Sequence, residues 1–155
     1  MLRAARGQQQ AQATKRSWNV VAFSVGGVKL AARIEDVGGV SAWTESIPVP
    51  SRTTFVQAML KRDNHLMPVY DLAARLGRAV QGDPVLCLVA RHLDGPMAIC
   101  IDADMPSLET VDATAIRPGG RGDIETLGSV TIGEDDVAIV ALQRLGGSRQ
   151  DAVRR

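Results

Sequence analysis

FVQAMLKRDNHLMPVYDLAARLG, residues 55–77, sets two apolar runs either side of a charged turn and follows them at once with a helical signal. Phe55, Val56, Met59 and Leu60 lead into Lys61-Arg62-Asp63-Asn64-His65, and Leu66, Met67, Val69 and Tyr70 leave it, so the segment reads as strand, turn, strand. Pro68 lies within the second limb. A proline donates nothing to a ladder, so that limb is expected at a sheet edge or a bulge, and an edge is a place where another chain can dock. Asp71 is placed to cap a short helix over 72–76 that Gly77 closes, with Leu72 and Leu76 one turn apart on one face.

Upstream of this hairpin, Val20, Val21, Phe23 and Val25 lead to Gly26-Gly27, and Val28, Leu30, Ala32 and Ile34 follow at alternating positions, the pattern of a second hairpin around a glycine turn. Ile47-Pro48-Val49-Pro50 is an extended connector that can be neither helix nor central strand. Downstream, Pro84 to Ala90 is a continuous apolar run of the kind buried on both faces, turned by Arg91-His92-Leu93-Asp94-Gly95 and returned by residues 96–101. A more polar span through Leu108, Val111 and Ile116 reaches the loop 118–123, and residues 127–132 and 137–142 form the last hairpin.

The two halves share one order of parts: a hairpin, a polar connector with proline, a second hairpin, and a leucine-rich turn, LAARLG at 72–77 and LQRLG at 142–146. The reading is therefore one all-β, mainly strand domain over 18–147, made of two small β subdomains at about 18–83 and 84–147. A basic tail occupies 1–17 and a charged tail 148–155. Neither half buries much alone, so the two are expected to share an apolar seam.

With 18 Lys and Arg against 17 Asp and Glu, the net charge of +1 gives no field that favours nucleic acid or an anionic membrane. Five aromatics, Trp18, Phe23, Trp43, Phe55 and Tyr70, are too few and too scattered to stack bases in a basic groove. Cys87 and Cys100 lie in apolar strand runs and read as buried thiols of a reducing compartment, with a cross-strand disulfide as the alternative. The N-terminal residues lack an apolar signal core and no run approaches the roughly 20 residues that span a bilayer, so a cytoplasmic protein is expected.

Catalytic chemistry has little to stand on. His65 and His92 read as exposed turn histidines without a third ligand, Asp94, Asp102 and Asp104 as solvated loop acids, and the glycine pairs as turns lacking the lysine of a phosphate loop. No catalytic residue, metal site or cofactor is expected, and interaction surface is what remains.

The ordered pieces FSVGG at 23–27, IPVP at 47–50, LKR at 60–62, MPVYDL at 67–72, ICID at 99–102 and IRP at 116–118 resemble the CheW-like family, the coupling proteins of bacterial chemosensory arrays. The resemblance spans roughly residues 19 to 146. It implies two small intertwined five-stranded β-barrels around a shared core, no enzyme activity, and an adaptor joining a chemoreceptor's cytoplasmic tip to the regulatory domain of a CheA-type histidine kinase, with the membrane reached only through receptors. A CheW-like module in a pilus, development or second-messenger pathway is the alternative, and a small-barrel nucleic-acid binder a remote one. Carried over by position, Ile34, Val37, Val40 and Val85 are expected to face the kinase. Phe55, Val56 and Met59 are expected to line a receptor groove, and Lys61 or Arg62 to stand at the family's receptor-coupling arginine. Where that family turn reads asparagine-leucine-arginine-glycine, this chain has Leu60-Lys61-Arg62-Asp63.

Overall fold

A computed structural model describes residues 16–50, 52, 55–62, 64–119 and 124–145, without the side chain of Arg62. Most of the expected N-terminal tail, the C-terminal tail, Asp63 and residues 120–123 of the loop 118–123 lie outside the described residues. Among the described residues eleven strands run in chain order: β1 Ser17–Val25, β2 Val28–Arg33, β3 Val37–Ala42, β4 Ser46–Pro48, β5 Val56–Arg62, β6 His65–Tyr70, β7 Leu86–His92, β8 Gly95–Cys100, β9 Ser107–Asp112, β10 Thr126–Ile132 and β11 Asp135–Val140. One short helix, α1, covers Leu72–Arg75, and 3-10 turns follow β2, β9 and β11. As expected, Asp71 caps α1 by accepting from the Ala74 amide at 3.0 Å, and Gly77 follows with a left-handed φ of +71°.

The strands form two curled sheets, β10-β11-β2-β1-β9 and β3-β7-β8-β6-β5-β4. The mainly-β, two-barrel reading agrees with this, and the second sheet gains a sixth strand in the three-residue β4. In each sheet the chain that leaves one end returns to the other. After β9, Arg117 exchanges both backbone hydrogen bonds with Ser129 of β10; after β3, β4 pairs with β5. Ile47 opposite Met59 repeats Arg117 opposite Ser129 at 70 positions' distance (47 and 117, 59 and 129). The repeat extends to backbone detail: β5 carries a bulge between Val56 and Ala58, and β10 one between Thr126 and Gly128. Likewise the Asp71 amide donates to the Phe55 carbonyl, and that of Ala141 to Glu125.

Each sheet nevertheless draws on both halves of the sequence. Hairpin β1–β2 lies with β9, β10 and β11, and hairpin β7–β8 lies with β3 to β6. Besides the antiparallel pairs β1–β9 and β3–β7, two short parallel ladders make the exchange, β2 with β11 through Leu30 and Ala138, and β8 with β6 through Ala98 and Val69. The second ladder corrects one expectation. β6 is not an edge strand, and Pro68 is tolerated because its pairing with β8 starts only at Val69, one residue beyond the proline.

Three apolar clusters result from this arrangement. Val20, Ala31, Val111, Val130, Val137 and Ile139 fill the first barrel. Leu60, Met67, Val69, Cys87, Val89 and Ala98 fill the second. Between them a larger seam takes residues of both, among them Phe23, Leu30, Tyr70, Leu72, Leu88, Ile99, Val140 and Leu142. Alternation along each strand supplies both sets: in β7, Cys87 and Val89 face the barrel interior while Leu88 and Ala90 face the seam.

One buried carboxylate fastens the seam. Asp102, 3% exposed, accepts the amides of Gly26 and Gln81 on Oδ1 and that of Gly27 on Oδ2, each at 2.8 Å. The expectation of a solvated loop acid is corrected here: Asp102 ties the β1–β2 turn to the segment after α1. Gly26 has φ +60°, and a Cβ there would lie 2.6 Å from the Arg78 Cβ, so glycine is required at this turn.

Candidate functional interface

Three of the four residues expected to face a kinase lie along one sheet edge. Among the described residues β3 pairs only with β7, leaving its other side without a strand. Val40 within β3 is 44% exposed. Ile34 is exposed in the 3-10 turn that delivers the chain to β3, and Val85 is exposed where its carbonyl accepts the Trp43 amide and prolongs the β3–β7 ladder. Val37 differs. At 8% exposure it belongs to the seam, behind this edge rather than on it. The register shift between Val37 and Gly39 leaves both valines on one face, Val37 opposite Ala90 and Val40 opposite Leu88, so position along the strand separates them: Val37 is covered by the seam and Val40 lies beyond its cover.

The residues expected to line a receptor groove divide in the same way. Val56 is buried in the seam, whereas Phe55 and Met59 are half-exposed. Phe55 adopts φ +65° and is the one non-glycine among the described residues in that region. Its ring meets Tyr70 edge-on at 6.1 Å between centroids, and the Arg75 guanidinium lies over it at 5.6 Å. Lys61 is exposed next to the turn, opposite Leu66, and the backbone of Arg62 lies opposite His65.

Sequence reading missed the apolar row that joins these positions. Ile47, Met59 and Pro68 stand side by side across β4, β5 and β6, on the face opposite Leu60 and Met67 inside the barrel. Along β6 the same face runs from Tyr70 in the seam through Pro68 to Leu66, which is 59% exposed, and Ile47 is 48% exposed. The duplication supplies an internal comparison. In the first barrel the corresponding face carries Arg117, Ser129 and Asp136, and there Arg117 pairs with Asp136 and reaches the Thr131 hydroxyl. One face closes on itself with charges, and its counterpart stays apolar and open. A period-2 pattern alone could have placed Leu66 outside, but as part of a continuous apolar limb it reads as core.

Two further buried polar groups are tied to neighbouring segments, although the His92 Nε2 is buried without a hydrogen-bond partner among the described residues. Asp36, 8% exposed, accepts from the Gln143 amide at 2.8 Å, and burial pushes its carboxyl above the ordinary range against the pull of Arg33 and that hydrogen bond. For His92 the expected exposure is corrected: its side chain is 6% exposed and its Nδ1 accepts from the Asp94 amide at 3.1 Å. Among the described residues no group of His, Cys, Asp and Glu is placed to hold a metal ion, and no helix is long and apolar enough to cross a membrane.

A family model described as the CheW-like domain matches residues 19–147. Among solved structures, the chain is similar to the scaffolding protein TtCheW from Thermoanaerobacter tengcongensis. The TM-score is 0.72 at 18% identity, covering 84% of this chain and 90% of that one. No curated protein matches.

Proposed function

The chain belongs to the CheW-like domain family, and from that premise we propose that it is a non-catalytic cytoplasmic scaffold of bacterial chemosensory signalling, joining the cytoplasmic tip of a chemoreceptor to the regulatory domain of a CheA-type histidine kinase. The observation that carries the proposal is the open apolar surface of the second barrel, set against the self-paired face of the first. Ile34, Val40 and Val85 along the β3 edge are the kinase side of this reading, with Val37 holding the strand from behind. Met59, near the basic turn of Lys61 and Arg62, and Phe55, at the other end of β5, are the receptor side, with Val56 buried in the seam. An edge strand offers backbone pairing to a partner strand, and an apolar row beside a seam accepts one face of an amphipathic helix.

Binding of the purified protein to a kinase regulatory domain, and separately to a receptor cytoplasmic fragment, tests the assignment. Val40→Asp is expected to abolish retention of the kinase domain while receptor binding persists, and Met59→Asp to do the reverse. Retention of both partners by both variants overturns it.

A further inference from the structure

Cys87 of β7 and Cys100 of β8 stand directly opposite one another across an antiparallel ladder, and neither is in a disulfide. Opposed residues in such a ladder project from the same face with Cβ atoms about 4.5–5.5 Å apart. The face here is the interior of the second barrel, where Cys87 packs with Val89 and Ala98. Hydrogen-bonded and non-hydrogen-bonded pairs hold their Cα atoms at about 5.5 and 4.5 Å, and both lie within the span of a disulfide. Only the Cβ atoms need to draw in. Access is unequal: Cys87 is fully buried and Cys100 half-exposed. Burial, then the neighbouring Cys87 and the carboxylates of Asp71 and Asp102, push the Cys100 thiol up to about 11.

We propose that Cys87 and Cys100 form a thiol pair that a small oxidised disulfide, of the glutathione class, closes into an intramolecular bond between β7 and β8, beside the edge strand β3. Cys100, the accessible thiol, loses its proton and its sulfur attacks the small disulfide; one small thiol departs with that proton and a mixed disulfide remains on Cys100. Cys87 then loses its proton and attacks the Cys100 sulfur, releasing the second small thiol. The protein gives up two electrons and two protons, and the small disulfide becomes two thiols. The bond lies next to the docking edge, because Cys87 pairs with Ser41 of β3 and Val85 is two residues away.

The whole protein is incubated with excess oxidised glutathione at mildly alkaline pH, denatured, alkylated and weighed intact. The expected product is a monomer lighter by two hydrogens with no alkylated thiol, returning to two alkylated thiols after dithiothreitol. Cys87→Ala should stop at a glutathione adduct on Cys100, and Cys100→Ser should take up almost no glutathione in the folded state. Closure in the wild type should speed up roughly tenfold per pH unit between neutral and mildly alkaline pH, following the thiolate fraction. Two alkylatable thiols after prolonged oxidation, a persistent glutathione adduct on the wild type, disulfide-linked dimers or a pH-independent rate would each overturn the proposal.

Discussion

Asp102 sits where two backbone turns converge, and its oxygens take three amides that no strand partner satisfies. Removing them leaves at least one fully buried donor unpaired, so Asp102→Ala should cost about 3 kcal/mol or more. Asp102→Asn should cost less if its carbonyl takes the Oδ1 position, because Gly26 and Gln81 then keep their acceptor and only Gly27 loses one. Urea midpoints for the three proteins should rank in that order. Asp36 makes the opposite contribution. Its folded carboxyl holds a proton more tightly than the unfolded one does, so between the ordinary aspartate value and the raised folded value the native state binds more protons. Stability therefore falls as pH rises through that acidic window, and the ionised group opposes folding above it. Asp36→Asn keeps an acceptor for Gln143 and should flatten that part of the stability–pH curve; an unchanged slope assigns it to other groups. These roles are hard to read from sequence. The Gly26-Gly27 turn is legible, but its acceptor is 76 positions away from Gly26, and a loop aspartate looks the same whether solvated or buried.

Edge strand β3 shows how one element separates packing from docking. Val37 and Val40 are both apolar and three positions apart, a spacing that normally puts residues of a strand on opposite faces. The bulge at Gly38-Gly39 re-aims the later one onto the face of Val37, so the two differ by how far along the strand the seam covers them, while Gly39, at φ +152°, takes a conformation that suits glycine. Val37→Asp buries an unpaired charge in the seam and should cost about 3 kcal/mol or more. Val40→Asp should change stability by less than about 1 kcal/mol. If thermal melts show both variants equally destabilised, the edge is packed rather than open. Most strands are legible because their apolar alternation is strong, as in β1, β2, β7 and β8. β9 is not, since Leu108 is exposed on it and its Ser, Glu, Thr and Asp residues read as connector. β4 reads only as an extended proline segment, and nothing in its sequence announces its pairing with β5.

Across the molecule, the duplication and the pairing obey different rules. The order of parts repeats along the sequence, which makes two similar β units legible. The choice of partner strand is a tertiary decision that periodicity does not encode. Each first hairpin pairs with strands of the other half, through β2 with β11 and β8 with β6. Fragment 1–83 therefore holds β3 without β7, and β6 without β8; fragment 84–155 holds β9 without β1, and β11 without β2. Each fragment also leaves its share of the seam uncovered, and chains of this size already bury a smaller fraction of their surface than larger domains do. Expressed separately, each should give the narrow amide dispersion of an unfolded chain, and mixing them in equal amounts should restore one folded spectrum. A well-dispersed spectrum from either fragment alone would mean that its own strands close a barrel, and the two halves would then be autonomous subdomains.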